Sequence, residues 1–207
     1  MALLRNILII LVFVILAVLD FVPLPWPARM IFPLLWLTLC ALWQRQWVLS
    51  AALFFSFLGD TMGWLHELIP QIGFFAVAQI IYIIMLGHLM PQGNVWPRPV
   101  RLFFLALVGA IYLTAVRWIF PRADGAIAWG IAVYAVLLIG MCYAALRHRN
   151  ACLMAGATLF VASDFILGIH LFVERMPHSV LLIMVPYYLG QLLLYQGIQN
   201  SFARRKA

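Results

Sequence analysis

Charge is scarce in this 207-residue chain: Asp, Glu, Lys and Arg together make up 9% of it, only six residues are acidic, and 67% are hydrophobic. A water-soluble domain of this length needs a far more polar surface, so composition excludes aqueous enzyme folds. Cysteine is scarce too. Cys40, Cys142 and Cys152 form no CxxC pair and no metal-ligand spacing. His170, Glu174 and His178 fall at i, i+4 and i+8, but Pro177 interrupts the run, and no HExxH or Cys/His framework exists. No metal and no cofactor is therefore expected. The net charge of +7 is spread singly or in short clusters between apolar runs, which argues against a nucleic-acid partner. Residues 1–25 carry Arg5 and an apolar stretch but no small-x-small cleavage site before the prolines at 23–27, so a retained first helix is expected there.

What is present is a series of long apolar runs. About 20 apolar residues cross a bilayer as a helix. Runs at 4–22, 29–44, 46–65, 69–90, 100–120, 125–146, 151–173 and 179–199 predict an all-α, polytopic transmembrane bundle of about eight helices. The second run is the shortest and contains Pro33. The breaks PLPWP (23–27), PQGNVWPRP (91–99) and PRADG (121–125) are short, so residues 1–207 read as a single integral membrane domain.

Orientation follows from Lys and Arg counted by side. One side collects Arg5, Arg45, Arg98, Arg101, Arg147, Arg149, Arg204, Arg205 and Lys206, and the other has Arg29, Arg117, Arg122 and Arg175. Both termini are thus expected in the cytoplasm, and all three cysteines toward the reducing side, without disulfides. Short loops and arginine-bearing ends suit a bacterial inner membrane. Asp60 and Asp164 lie 104 residues apart, each after a small residue (Gly59, Ser163) and six positions before a histidine (His66, His170). That spacing hints at two copies of a four-helix unit, with coincidence as the alternative.

Four of the six acids sit at helix ends; Asp60 and Asp164 do not. Counted along their helices they lie at similar depths in the outer half of the membrane. An Asp near the centre of a spanning helix costs on the order of 3 kcal/mol to insert. Two such costs suggest a use. Carboxyls sharing an apolar pocket do not both ionise cheaply, so one can serve as general acid and the other as anionic stabiliser. The plainer reading is interhelical hydrogen bonding. Ser163, Gln79 and Tyr82 (i, i+3), and Tyr187 or Tyr188 with Gln191, offer further polar groups on shared faces; they line a substrate cavity or join helices.

The segments SFLGDTMGWL (56–65), GFFAVAQIIYI (73–83), AVYAVLLIGMCYAAL (132–146), AGATLFVASDFILGIHLF (155–172) and VPYYLGQLLLYQG (185–197) together resemble the YhhN family of bacterial and animal membrane proteins, which includes the lysoplasmalogenases. The strongest elements are Gly59-Asp60, the Gly156-to-Asp164 stretch, and Tyr187-Tyr188 with Gln191. The resemblance implies hydrolysis of the vinyl ether bond of a single-chain lysophospholipid, lysoplasmalogen, to a fatty aldehyde and a glycerophospho-ethanolamine or -choline. It also implies that Asp60 and Asp164 belong to the active site. The chain departs from the family at Gln79, where a histidine is often found, and at Phe32, where a lysine often precedes the proline. Two other classes fit the residues alone: a proton-coupled transporter, since buried acids also make proton relays, and a structural membrane protein.

Overall fold

In apolar runs this long, backbone groups have no water to bond, so the helix, which satisfies them internally, is the default. The computed structural model describes residues 2–22, 29–89 and 95–206, omitting the side chains of 2, 89 and 203–206. It is 87% helical, with no strand among the described residues. Eight α-helices follow in order: α1 (Ala2–Asp20), α2 (Phe32–Trp43), α3 (Trp47–Trp64), α4 (Leu68–Ile84, continued by a π-helical turn Met85–Leu89), α5 (Arg98–Trp118), α6 (Gly125–Leu146), α7 (Ala151–Phe172) and α8 (Ser179–Lys206). The expected break at 23–27 and part of that at 91–99 lie outside the described residues.

Six of these helices are long and apolar enough to cross a membrane. α2 has only 12 residues, about 18 Å against a hydrocarbon core of about 30 Å. α3 has 18 residues and contains Asp60 and Thr61. Large apolar side chains point outward, among them Leu3 (75% exposed), Leu113 (67%) and Trp129 (73%). In water such a surface would aggregate; in lipid it is solvated.

Chain reversals are made by specific caps. α2 and α3 both end in paired turn bonds: Arg45 N to Leu42 O at 2.9 Å with Gln46 N to Ala41 O at 2.9 Å, and His66 N to Gly63 O at 3.1 Å with Glu67 N to Met62 O at 2.9 Å. Arg45 and His66 take the left-handed backbone (φ 58° and 61°) that this motif requires. His66 is therefore a helix terminator, whereas His170 lies within α7 and accepts from Met176 N at 3.1 Å. α7 is capped by Asn150, whose Oδ1 accepts from Cys152 N (3.0 Å) and Leu153 N (3.4 Å) while Nδ2 donates to Gly197 O (3.0 Å).

The helices form two compact units, Met1–Ile81 and Tyr82–Ala207. In the first, α1 meets α2 where Trp36 Nε1 donates to Ile9 O at 3.1 Å, and α2 meets α3 where Ser50 Oγ donates to Thr38 O at 3.1 Å. In the second, α7 and α8 pack backbone against backbone. A Cβ at Gly156 would stand 2.8 Å from Leu194 N and 2.9 Å from Gly190 O, and one at Gly190 would stand 3.0 Å from Gly156 O. Small residues at these contacts are what let spanning helices approach so closely. The last turn of α4 joins this unit through the His148 ring, whose Nε2 lies 2.7 Å from Leu86 O.

Candidate functional site

A carboxyl in an apolar helix is tolerated where its surroundings make room for it, so each aspartate is best read through its neighbours. In the first unit Asp60 is buried, with 3% of its surface exposed. Gly59, beside it, lies against the Phe75 ring: a Cβ there would come within 2.8 Å of two ring carbons. One turn on, a Cβ at Gly63 would stand 2.7 Å from Gln71 Nε2. The glycines thus let α4 close over the Asp60 turn. Ser56 and Thr61 donate back to their own helix, to Ala52 O (3.1 Å) and Phe57 O (2.8 Å). Farther along α4, Gln79 is wholly buried, and neither its Oε1 nor its Nε2 has a hydrogen-bond partner among the described residues. A buried amide with nothing to bond is costly in a native protein and calls for an explanation.

In the second unit Asp164 is partly exposed and held from α6: Tyr134 donates its hydroxyl to Asp164 Oδ2 at 2.7 Å. Ser163, adjacent, donates to Ile183 O on α8 at 2.8 Å. Pro186 sits inside α8 and has no N–H for the carbonyl one turn earlier. A serine from the neighbouring helix bonding this same loosened turn is a familiar way to accommodate proline in a spanning helix. Tyr82 and Gln191, both fully buried, are joined by a hydrogen bond from the tyrosine hydroxyl to Gln191 Oε1 at 3.0 Å, while Gln191 Nε2 has no partner among the described residues. Tyr187 packs edge-on against Phe160, centroids 5.5 Å apart, and beside Tyr188 at 5.7 Å.

Of the expected site residues, then, Tyr82 and Gln191 meet each other, Ser163 engages the α8 backbone, and Tyr187 and Tyr188 stand together against Phe160. Asp60 and Gln79 are both buried in the first unit. The residue missing from the sequence reading is Tyr134. Its signal was depth: it lies twelve residues before the end of α6, and Asp164 thirteen after the start of α7, counted from the same short turn. Among the described residues no group of three or more His, Cys, Asp and Glu is gathered as metal ligands would be.

Fold and residues together define a polytopic helical membrane protein with carboxyls, phenols and amides set inside its helices. The chain belongs to the YhhN family, which it matches over residues 21–198. Among curated proteins it is similar to a human protein named lysoplasmalogenase TMEM86B, 29% identical over 148 residues, covering 71% of this chain and 61% of the relative. It is likewise similar to the pig protein of that name, 29% identical over 154 residues, covering 74% and 64%. The chain thus spans less than two thirds of the length of these relatives. No solved structure matches it.

Proposed function

We propose that this protein is a membrane-embedded hydrolase that cleaves the vinyl ether bond of lysoplasmalogen, with Asp60 and Asp164 as its catalytic carboxyls. Family membership and the names of the relatives support the reaction class. The observation that carries the chemistry is the 2.7 Å bond from Tyr134 to Asp164, which fixes the direction of a carboxyl within a spanning helix.

Vinyl ether hydrolysis begins with transfer of a proton from a carboxylic acid to the β-carbon of the alkenyl chain, leaving an oxocarbenium ion. A carboxylate stabilises that cation and takes a proton from the water that adds to its α-carbon. The hemiacetal then collapses: its hydroxyl gives its proton to the first carboxylate, the carbon–oxygen bond to glycerol breaks, the glycerol oxygen takes the proton held by the second carboxyl, and the aldehyde departs. One water is consumed and both carboxyls return to their starting states. Tyr134 is a positioning residue in this scheme. Gln79, Gln191, Tyr82, Tyr187, Tyr188 and Ser163 line the substrate's path, and the unbonded amide atoms of Gln79 and Gln191 supply donors and an acceptor for the polar part of a single-chain phospholipid. The substrate tail stays in the bilayer. Nine basic residues against four support the reading that both termini face the cytoplasm, and short loops with arginine-bearing ends suit a bacterial inner membrane.

The test is aldehyde release by purified protein from lysoplasmalogen and from an ordinary acyl lysophospholipid. Release from the first alone, abolished in folded Asp60→Asn and Asp164→Asn, is expected. Absence of aldehyde from every vinyl ether lipid, with acid-dependent proton flux in proteoliposomes, would replace this reading with a transporter. Variants that merely unfold at lower temperature while releasing aldehyde normally would reduce the acids to structural roles.

A further inference from the structure

The second unit holds another polar feature that the proposed chemistry does not use. Where α5 begins and α6 ends, Arg98, Arg101 and Arg147 line a cavity of about 180 Å³ together with Leu102, Leu105, Tyr143 and Leu146. The lining contains three cations and no acid. Two of the arginines occupy the first turn of α5, which carries no acidic residue, so they add charge to the positive end of the helix dipole. Arg101 Nε is buried with no hydrogen-bond partner among the described residues. Such an arrangement is electrostatically unfavourable by itself and complementary to an anion. Two of the lining residues are exposed, Leu102 at 56% and Tyr143 at 51%, an apolar side chain and an amphipathic ring of the kind found at the hydrocarbon boundary.

We propose that this cleft binds the phosphate of an anionic phospholipid from the surrounding leaflet, at a site separate from the reacting carboxyls. The separateness rests on the reading of Asp164 as catalytic and follows from length. Arg147 lies thirteen residues beyond Tyr134, about 20 Å along a helix. In a lysoplasmalogen, seven bonds of about 1.5 Å link phosphorus to the vinyl β-carbon, a reach of at most about 10 Å. Measured between these backbone positions, a substrate seated on the arginines falls short of Asp164. The occupant is therefore a different lipid, which holds the α5–α6 pair and makes the protein sensitive to the charge of its membrane. Basic pockets at helix ends suit anionic headgroups for the same electrostatic reason.

The experiment compares full-length protein in nanodiscs of phosphatidylcholine with and without phosphatidylglycerol, reading thermal unfolding and retention of labelled phosphatidylglycerol through delipidation. Wild type is expected to unfold at a higher temperature with phosphatidylglycerol and to retain it. Arg101→Gln/Arg147→Gln should lose the shift and bind the label at least about tenfold more weakly. Arg117→Gln, a control at the other end of α5, should behave as wild type. In detergent, the double variant should release aldehyde at the wild-type rate if the parent enzyme does so. Should the protein release no aldehyde at all, the lipid-binding result still stands or falls by itself. Stabilisation by inorganic phosphate equal to that by phosphatidylglycerol would overturn the lipid assignment. So would a double variant with raised KM for lysoplasmalogen and unchanged retention of the label, which would make the cleft a substrate headgroup site.

Discussion

α3 and α7 place an aspartate at the same point, thirteen residues after their first residue, yet surround it differently. Asp60 is 3% exposed, next to a glycine pressed against the Phe75 side chain. Asp164 is partly exposed, next to a serine tied to the α8 backbone, with a phenol bonded to its carboxyl. Matched positions with unmatched neighbours are what a division of labour between two acids requires, because environment and not residue type decides what a carboxyl does. The contrast extends to packing. α3 meets α4 through a side chain that can yield, whereas α7 meets α8 through backbone that cannot.

The largest effects should come from the acids. Asp60→Asn and Asp164→Asn should each lower aldehyde release by a hundredfold or more, on the order of the contribution of a general acid or base, with unchanged elution from a sizing column. An Asn variant with near-normal turnover would remove that aspartate from the chemistry and leave its partner to account for it. Packing comes next. Gly190→Ala brings a methyl 3.0 Å from Gly156 O and 3.1 Å from Phe160 N, and should destabilise by about 1–3 kcal/mol, read as a lower unfolding temperature in detergent. Gly59→Ala, opposed by the Phe75 ring, should be milder; equal losses would erase the packing contrast. Tyr134→Phe keeps the ring and removes the bond to Asp164, and should cost about tenfold in kcat with little change in KM or stability. Gln79→Met should change stability in the opposite direction to the glycine variants. Relieving a buried amide without partners should stabilise by about 1 kcal/mol, while KM for lysoplasmalogen rises if that amide contacts substrate.

The sequence was most legible where punctuation bounds an apolar run. The run 125–146 coincides with α6 because Gly125, at φ 52°, opens it and Arg147 ends it. It was less so at α2, where a left-handed Arg45 turns the chain after 12 helical residues, and at α8, which runs beyond the expected 199 to Lys206. The aspartates declared themselves because charge in an apolar run is conspicuous. Tyr134 did not, because a tyrosine costs little in a spanning helix and gains meaning only once α6 and α7 are paired in register. The histidines at 66 and 170 looked alike at equal spacing, but one terminates a helix and the other lies inside one. The arginines at 98, 101 and 147 were read only as markers of orientation, since their convergence on one cavity depends on tertiary packing.

Hydrolysis in deuterium oxide, with the aldehyde trapped by reduction as it forms, tests the proposed chemistry most directly. Proton delivery by a fixed carboxyl should place a single deuterium of one configuration at the former β-carbon of the reduced product. A racemic label there would mean that this carbon takes its proton from bulk solvent, and the carboxyl mechanism would be wrong.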